Sequence, residues 1–232
     1  LEVWNCPEIL SGWLSIPEID RLAAQILRIF QEASLSELEY KRLGAVIQGS
    51  VQTTNLCLIL PFVDVPQEFN DGLANAIQIY QLSLRSNTLQ GSDTIAVEGL
   101  LRNPLNKLEY LSLSHTHLED HHFIVLAQLL PMTKIRHIDF SQNHIQSRGL
   151  LEFARQMPKM NYLRRVHLGS NPWKESPLEV IEECSAALLH GLRQSTSIEW
   201  LDVADDLPQY RLLWYYSALN AGGRRLLQPS SH

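Results

Sequence analysis

Residues 108–118 read LEYLSLSHTHL, residues 135–145 read IRHIDFSQNHI, and residues 163–173 read LRRVHLGSNPW. All three follow one pattern, LxxLxLxxNxL, in which apolar residues occupy the L positions and an asparagine or threonine occupies the N position. Residues 79–89, IYQLSLRSNTL, are a fourth copy. Self-similarity of this kind indicates a chain built from repeated structural units.

The copies recur at nearly regular intervals along the chain. With two weaker copies included, successive repeat starts are separated by 26, 29, 27, 28 and 35 residues, the starts being Thr53, Ile79, Leu108, Ile135, Leu163 and Ile198. We therefore predict six repeats in residues 51–206. Residues 1–50 are predicted to form a helical N-terminal cap or an incomplete repeat, and residues 207–232 a helical C-terminal cap.

The repeat pattern predicts a strand followed by a helix in each unit. In a strand, alternate side chains face opposite sides, so Leu82 and Leu84 are expected to point into the core while Gln81, Ser83 and Arg85 point away. A strand and a returning helix produce parallel neighbours joined by right-handed connections. The predicted fold is an α/β right-handed βα solenoid, a horseshoe with an inner parallel sheet and outer helices.

Helices are predicted where apolar residues recur every three to four positions. These segments are Glu18–Ala33, Glu37–Gln48, Asp93–Leu101, Phe123–Leu130, Leu150–Met157, Leu178–Arg193 and Gln209–Asn220.

On these four near-complete copies the chain resembles the leucine-rich repeat family, and its repeat length and asparagine position resemble the ribonuclease-inhibitor-like class. The resemblance covers residues 51–206 and implies a recognition module or scaffold that binds a protein. Because the family includes activators of the small GTPase Ran, a GTPase regulator is an alternative function. A peripheral structural subunit of a large assembly is another. The sequence does not identify the partner or the oligomeric state.

Composition and charge argue against several functional classes. The 232 residues include 19 basic and 25 acidic side chains, a formal net charge of -6, so nucleic acid is not an expected partner. No apolar run is long enough for a membrane span. The three cysteines have neither a disulfide nor a zinc spacing, which favours a reducing compartment, the cytoplasm or nucleus, although the chain begins with Leu1 and an N-terminal targeting segment could be missing.

Catalytic and cofactor motifs are absent from the sequence. It contains no GxSxG, Walker, GxGxxG or HExxH motif, and we expect no enzymatic activity and no cofactor. His115, His117, His121 and His122 lie close together in one turn, and His144 falls at the repeat position of His117. This pair lacks a third oriented ligand, and we predict no metal site. Asn87, Asn143 and Asn171 are interpreted as structural, since an amide leaving a buried strand satisfies backbone groups of the turn.

The outward positions of the strands are the predicted binding surface. They include aromatic and arginine side chains, which contribute strongly to protein interfaces. The predicted partner-binding residues are Gln81, Ser83, Arg85, Tyr110, Ser112, His137, Asp139, Arg165, His167, Trp200 and Asp202. The sequence thus predicts a non-catalytic module that binds a protein on its concave sheet face.

Overall fold

The computed structural model describes residues 1–4, 7–16, 24–61, 65–85, 93–203, 207 and 209–222. The chain forms two compact units, Leu1–His117 and Leu118–His232. In both units short strands alternate with helices along the chain. This alternation confirms the α/β solenoid class that the repeats predict.

The first unit contains five strands that pair in parallel in the order of the sequence. Its elements are β1 (Glu2–Trp4), α1 (Pro7–Leu14), β2 (Ile26–Phe30), α2 (Glu37–Gly49), β3 (Asn55–Ile59), α3 (Gln67–Ala74), β4 (Gln81–Arg85), α4 (Asp93–Arg102) and β5 (Tyr110–Ser112). Repeat positions are in register across strands: Leu56 pairs with Leu82, and Leu82 pairs with Leu111.

The second unit repeats the same plan with three parallel strands. Its elements are α5 (Asp120–Leu129), β6 (His137–Asp139), α6 (Ser147–Gln156), β7 (Arg165–His167), α7 (Leu178–Gln194), β8 (Trp200–Asp202) and α8 (Tyr210–Ala221). Ile138, Val166 and Leu201 are paired across β6, β7 and β8, and all are buried. Among the described helices of the two units, none has both the length and the apolar character needed to cross a membrane.

Alternate side chains along the strands are buried and accessible, as predicted. In β4 the inward Leu82 and Leu84 are buried, whereas Gln81 and Arg85 are exposed. Because the spacing of the apolar positions is the same from repeat to repeat, these residues build a continuous core beneath the strands of each unit. The predicted helices are found with boundaries within three residues of those expected, apart from the first one.

The exception is the helix predicted at Glu18–Ala33, because β2 occupies Ile26–Phe30 instead. Residues 18–23 of the predicted helix lie outside the described residues. Apolar spacing in ILRIF fits a helix and a strand equally, but the β-branched and aromatic side chains favour a strand. Pairing with β3 supplies the hydrogen bonds that decide between them, with Leu27 in register with Leu56. Strand-helix repetition therefore extends into residues 1–50.

Helices α2 and α3 pack unusually closely, through facing glycines. A Cβ atom placed on Gly72 would lie 2.3 Å from the carbonyl oxygen of Gly44, and one on Gly44 would lie 2.7 Å from the Cα atom of Phe69. Both contacts are with backbone atoms, which cannot rotate away. Glycine at both positions is therefore required for this approach of the two helices.

The asparagines of the repeats hold the turns that follow the strands, as predicted. Asn143 donates from Nδ2 to the carbonyl oxygen of Phe140 (3.0 Å), and its Oδ1 accepts from the Leu118 amide (3.0 Å). Asn171 likewise accepts from the Ile145 amide (3.1 Å). Each side chain thus bonds its own turn and the preceding repeat. Asn87, the third predicted member, lies outside the described residues.

Replacing Asn143 with Ala should lower the free energy of unfolding by about 1 to 3 kcal/mol, because buried backbone groups lose their partners. The matched control is Asn161→Ala, since Asn161 is exposed and should change stability by less than about 0.5 kcal/mol. Urea denaturation followed by circular dichroism measures both. Equal losses for the two variants would contradict a structural role for the Asn143 amide.

Candidate protein-binding surface

Outward side chains of β2 to β5 form one surface, which we call the first open face. The strand register places Arg28 beside Cys57, Cys57 beside Ser83, and Gln81 beside Tyr110. These side chains surround a shallow depression of about 250 Å³. The depression therefore combines polar groups with the Tyr110 ring and the apolar Ile26 side chain.

Four of the five residues predicted for this face are accessible. Gln81 and Arg85 are exposed, and Ser83 and Tyr110 are half-buried. Ser112 was expected to be displayed, but only 4% of it is exposed. Its short side chain does not rise above its neighbours, and its hydroxyl donates to the Ser114 hydroxyl within the protein (3.5 Å). Ser112 is thus a correction to the predicted surface.

Outward side chains of β6, β7 and β8 form a separate surface, the second open face. Two rows cross the strands in register, and all six side chains are at least partly accessible. One row is His137, Arg165 and Trp200, and the other is Asp139, His167 and Asp202. The structure therefore brings together all the residues predicted for this face.

Trp200 is the most distinctive residue of the second open face, because 43% of it is exposed although it lies on a strand. The His167 ring packs against it nearly perpendicularly, with ring centroids 4.4 Å apart. Asp202 Oδ2 lies 3.4 Å from His167 Nδ1 and helps to orient the imidazole. The indole is thus braced from one side while remaining available to a ligand.

An ion pair joins the residues that immediately precede β7 and β8. Arg164 Nη1 contacts Glu199 Oε1 at 2.8 Å, and the amides of Glu199 and Trp200 both donate to the Arg164 carbonyl oxygen. These bonds align the two strands just before the residues of the open face. Trp200 and Arg165 are therefore displayed from a well-ordered framework.

Two histidines of the first turn of α5, His121 and His122, pack against each other. The rings of His121 and His122 have centroids 3.7 Å apart. Burial lowers the pKa of His122, and the neighbouring His121 lowers it further. His115 and His117 adopt left-handed backbone conformations. Within the described ranges, no group of three or more His, Cys, Asp or Glu side chains is placed to hold a metal ion.

Sequence analysis missed the outward residues of β2, because this segment was predicted to be helical. Ile26, Arg28 and Phe30 lie in register with the outward residues of β3. The triplet LRI at residues 27–29 resembles LCL at 56–58 and LSL at 82–84, and this LxL signal could have revealed the strand. The first open face is therefore one strand wider than predicted.

Comparisons with known proteins support the fold without naming a family. No protein-family model matches the chain, and no curated protein matches it by sequence. A solved structure of leiomodin-1 actin-binding site 2 is similar, with 18% identity, a TM-score of 0.54, and coverage of 68% of this chain and 92% of that chain. The C-terminal domain of Caenorhabditis elegans tropomodulin has 12% identity, a TM-score of 0.53, and coverage of 68% and 96%.

An internalin from Listeria monocytogenes is more distant, with 14% identity, a TM-score of 0.37, and coverage of 80% of this chain and 61% of that chain. Taken with the strand register and the asparagine bonds, the similarities to leiomodin and tropomodulin identify a leucine-rich-repeat-type fold.

Proposed function

We propose that this chain is a non-catalytic protein-binding module of the ribonuclease-inhibitor-like class, and that its open faces contact the partner. The observation that carries the proposal is the exposed Trp200, braced by His167 and flanked by Arg165. Tryptophan and arginine are the residues most often found at the energetic centre of an interface. A rigid, exposed indole loses little conformational freedom when a partner covers it.

The surroundings of His167 on the second open face and of Cys184 in α7 support binding over catalysis. His167 is positioned between a carboxylate and an indole, so its neighbours are suited to holding the ring in place. The Cys184 thiol is buried, and burial raises its pKa to about 11, with Glu183 and Asp120 adding to the effect. This thiol is therefore protonated at neutral pH and is a poor nucleophile.

Actin is the first partner to test, because one of the similar structures is named as an actin-binding site of leiomodin-1. At 18% identity this similarity supports the fold alone, and actin binding by this chain is our proposal. The cytoplasm or nucleus is the compartment that we expect for such a module, since two of the thiols, Cys57 and Cys184, are free.

The Tyr110→Ala/Trp200→Ala variant should weaken partner binding at least about tenfold, with Tm little changed, because both side chains are accessible. The matched control is Tyr162→Ala/Trp214→Ala, which removes the same two ring types from exposed positions away from the open faces. Each single variant is measured as well, since the two rings belong to different units.

Binding is measured first with purified monomeric and filamentous actin, by co-sedimentation and fluorescence titration. Affinity purification from the native source, with mass spectrometry of proteins captured by all variants, extends the test to other partners. Loss confined to the Tyr110 and Trp200 variants supports the proposal. Partners retained by these variants but lost from the control pair would place the binding surface elsewhere.

A further inference from the structure

A second depression of the first unit lies where β2, β3 and β4 end. Its volume is about 420 Å³, and Phe30, Gln31, Glu32, Ile59, Pro61 and Arg85 are among the residues that line it. This volume falls within the range of small-ligand and peptide pockets, about 300 to 1,000 Å³. We call it the strand-end pocket.

Backbone hydrogen bonds beyond the strands give the strand-end pocket a firm floor. The Gln31 amide donates to the Ile59 carbonyl oxygen (2.9 Å), and the Leu60 amide donates to the Arg85 carbonyl oxygen (3.2 Å). The Tyr40 hydroxyl donates to the Pro61 carbonyl oxygen (2.7 Å), which holds the neighbouring wall. These bonds fix the backbone of the described lining residues.

Gln31 is the first indication that the pocket receives a ligand. Only 3% of this residue is exposed, yet its Oε1 atom has no hydrogen-bond partner in the described part of the chain. Buried side-chain oxygens are nearly always hydrogen bonded, and an exception calls for a specific explanation. A ligand N–H group would provide one, once the side chains that cover this oxygen move aside.

Arg85 supplies the second indication, from the other side of the pocket. Its side chain is exposed, and within the residues that the structure describes it forms no ion pair with a carboxylate. Phe30, Ile59 and Arg85 occupy equivalent positions on three adjacent strands. Since neighbouring strands lie about 4.8 Å apart, the apolar side and the cationic side are separated by about 10 Å.

We propose that the strand-end pocket binds an extended peptide segment of the protein partner, with an acidic side chain paired to Arg85. An apolar side chain of the peptide packs against Phe30 and Ile59, and a peptide N–H donates to Gln31 Oε1. About three extended residues span the 10 Å between these groups. This inference rests on the proposed function and specifies the chemistry of the partner.

The charge pattern favours a peptide over nucleic acid. Among the described residues that line the pocket, Arg85 is the one cation and Glu32 is an anion, whereas nucleic acid binding requires many phosphate contacts. A carboxylate needs one guanidinium, which it can contact through two parallel hydrogen bonds. The glutamine carboxamide can pair with a peptide group, because both contain an N–H donor and a carbonyl acceptor.

The test uses the full chain and an array of acetylated, amidated hexapeptides. Each carries one Phe or Leu and one Glu at varied spacing, and a matched peptide has Gln in place of Glu. Affinities of the best sequences are then measured by fluorescence anisotropy. The Glu peptides should bind at least about tenfold more tightly than their Gln partners, because only they pair with Arg85.

Two variants separate recognition from folding. Arg85→Gln should abolish the preference for Glu, whereas Arg148→Gln, which removes an exposed arginine from α6, should leave it intact. Gln31→Leu should weaken binding at least about tenfold while Tm stays at or above that of the wild type, because it removes a buried acceptor that is unpaired in the free protein.

Three results would overturn the assignment. They are an array without saturable binding, a Glu preference that survives Arg85→Gln, and a lower Tm for Gln31→Leu, which would make the amide structural. If the array fails while Tyr110→Ala/Trp200→Ala loses its partner, the proposed function stands and the pocket does not. If Arg85-dependent peptides bind while that double variant keeps its partner, the pocket stands and the role of the two rings does not.

Discussion

Leu111→Ala should lower the free energy of unfolding by about 2 to 5 kcal/mol, among the largest losses expected for this chain. Leu111 is 0% exposed and lies on β5, in register with the buried Leu82. Truncation removes favourable burial and leaves a cavity, since strands paired on a helical layer cannot close completely around the missing atoms. Urea denaturation followed by circular dichroism gives the value.

The matched control is Leu105→Ala, because Leu105 is 66% exposed and precedes the same strand. It should change stability by less than about 0.5 kcal/mol. A neutral Leu111→Ala would mean that the inward and outward positions of β5 are assigned the wrong way round. All predictions for Tyr110 would then have to be withdrawn, because it lies one position away on the opposite face.

Gly72→Ala should be similarly damaging, at or above the upper end of the roughly 1 to 3 kcal/mol usual for overpacking. The added Cβ atom would lie 2.3 Å from the Gly44 carbonyl oxygen and 2.7 Å from the Gly44 Cα atom. Relief requires α2 and α3 to separate, which disturbs the buried Leu43, Val46 and Phe69 side chains on these helices. Thermal and urea denaturation should both report the loss.

Gly12→Ala provides the control, since Gly12 lies in α1 with no atom within 4 Å of an added Cβ. Alanine favours helix by up to about 1 kcal/mol relative to glycine, so this variant should be neutral or slightly more stable. If Gly72→Ala were as well tolerated as Gly12→Ala, the close packing of α2 on α3 would be incorrect.

The repeat pattern was sufficient to predict most of the fold. Its apolar spacing distinguishes strand from helix because the two have different periods, and side chains such as Leu82 and Leu84 can be assigned to the core directly. The role of Asn143 was also predictable, since a turn that leaves a buried strand needs a polar side chain to satisfy its backbone.

Prediction failed where local sequence is compatible with two conformations. In Ile26–Phe30 the apolar residues fit either period, and pairing with β3 decides for a strand. Ser112 occupies an outward position in the alternation of β5, but its accessibility depends on the size of its neighbours. Neither outcome is encoded in the spacing of apolar and polar residues alone.

The sequence by itself determined the repeats, the alternation of strands and helices within residues 51–206, and the outward residues that include Arg165 and Trp200. These features depend on periodicity, which is local. Only the tertiary structure decided the bracing of Trp200 by His167, the glycine contact between α2 and α3, and the unpaired Gln31 oxygen beside the strand-end pocket. Those features depend on distances between residues far apart in the chain, which are set by how neighbouring repeats pack.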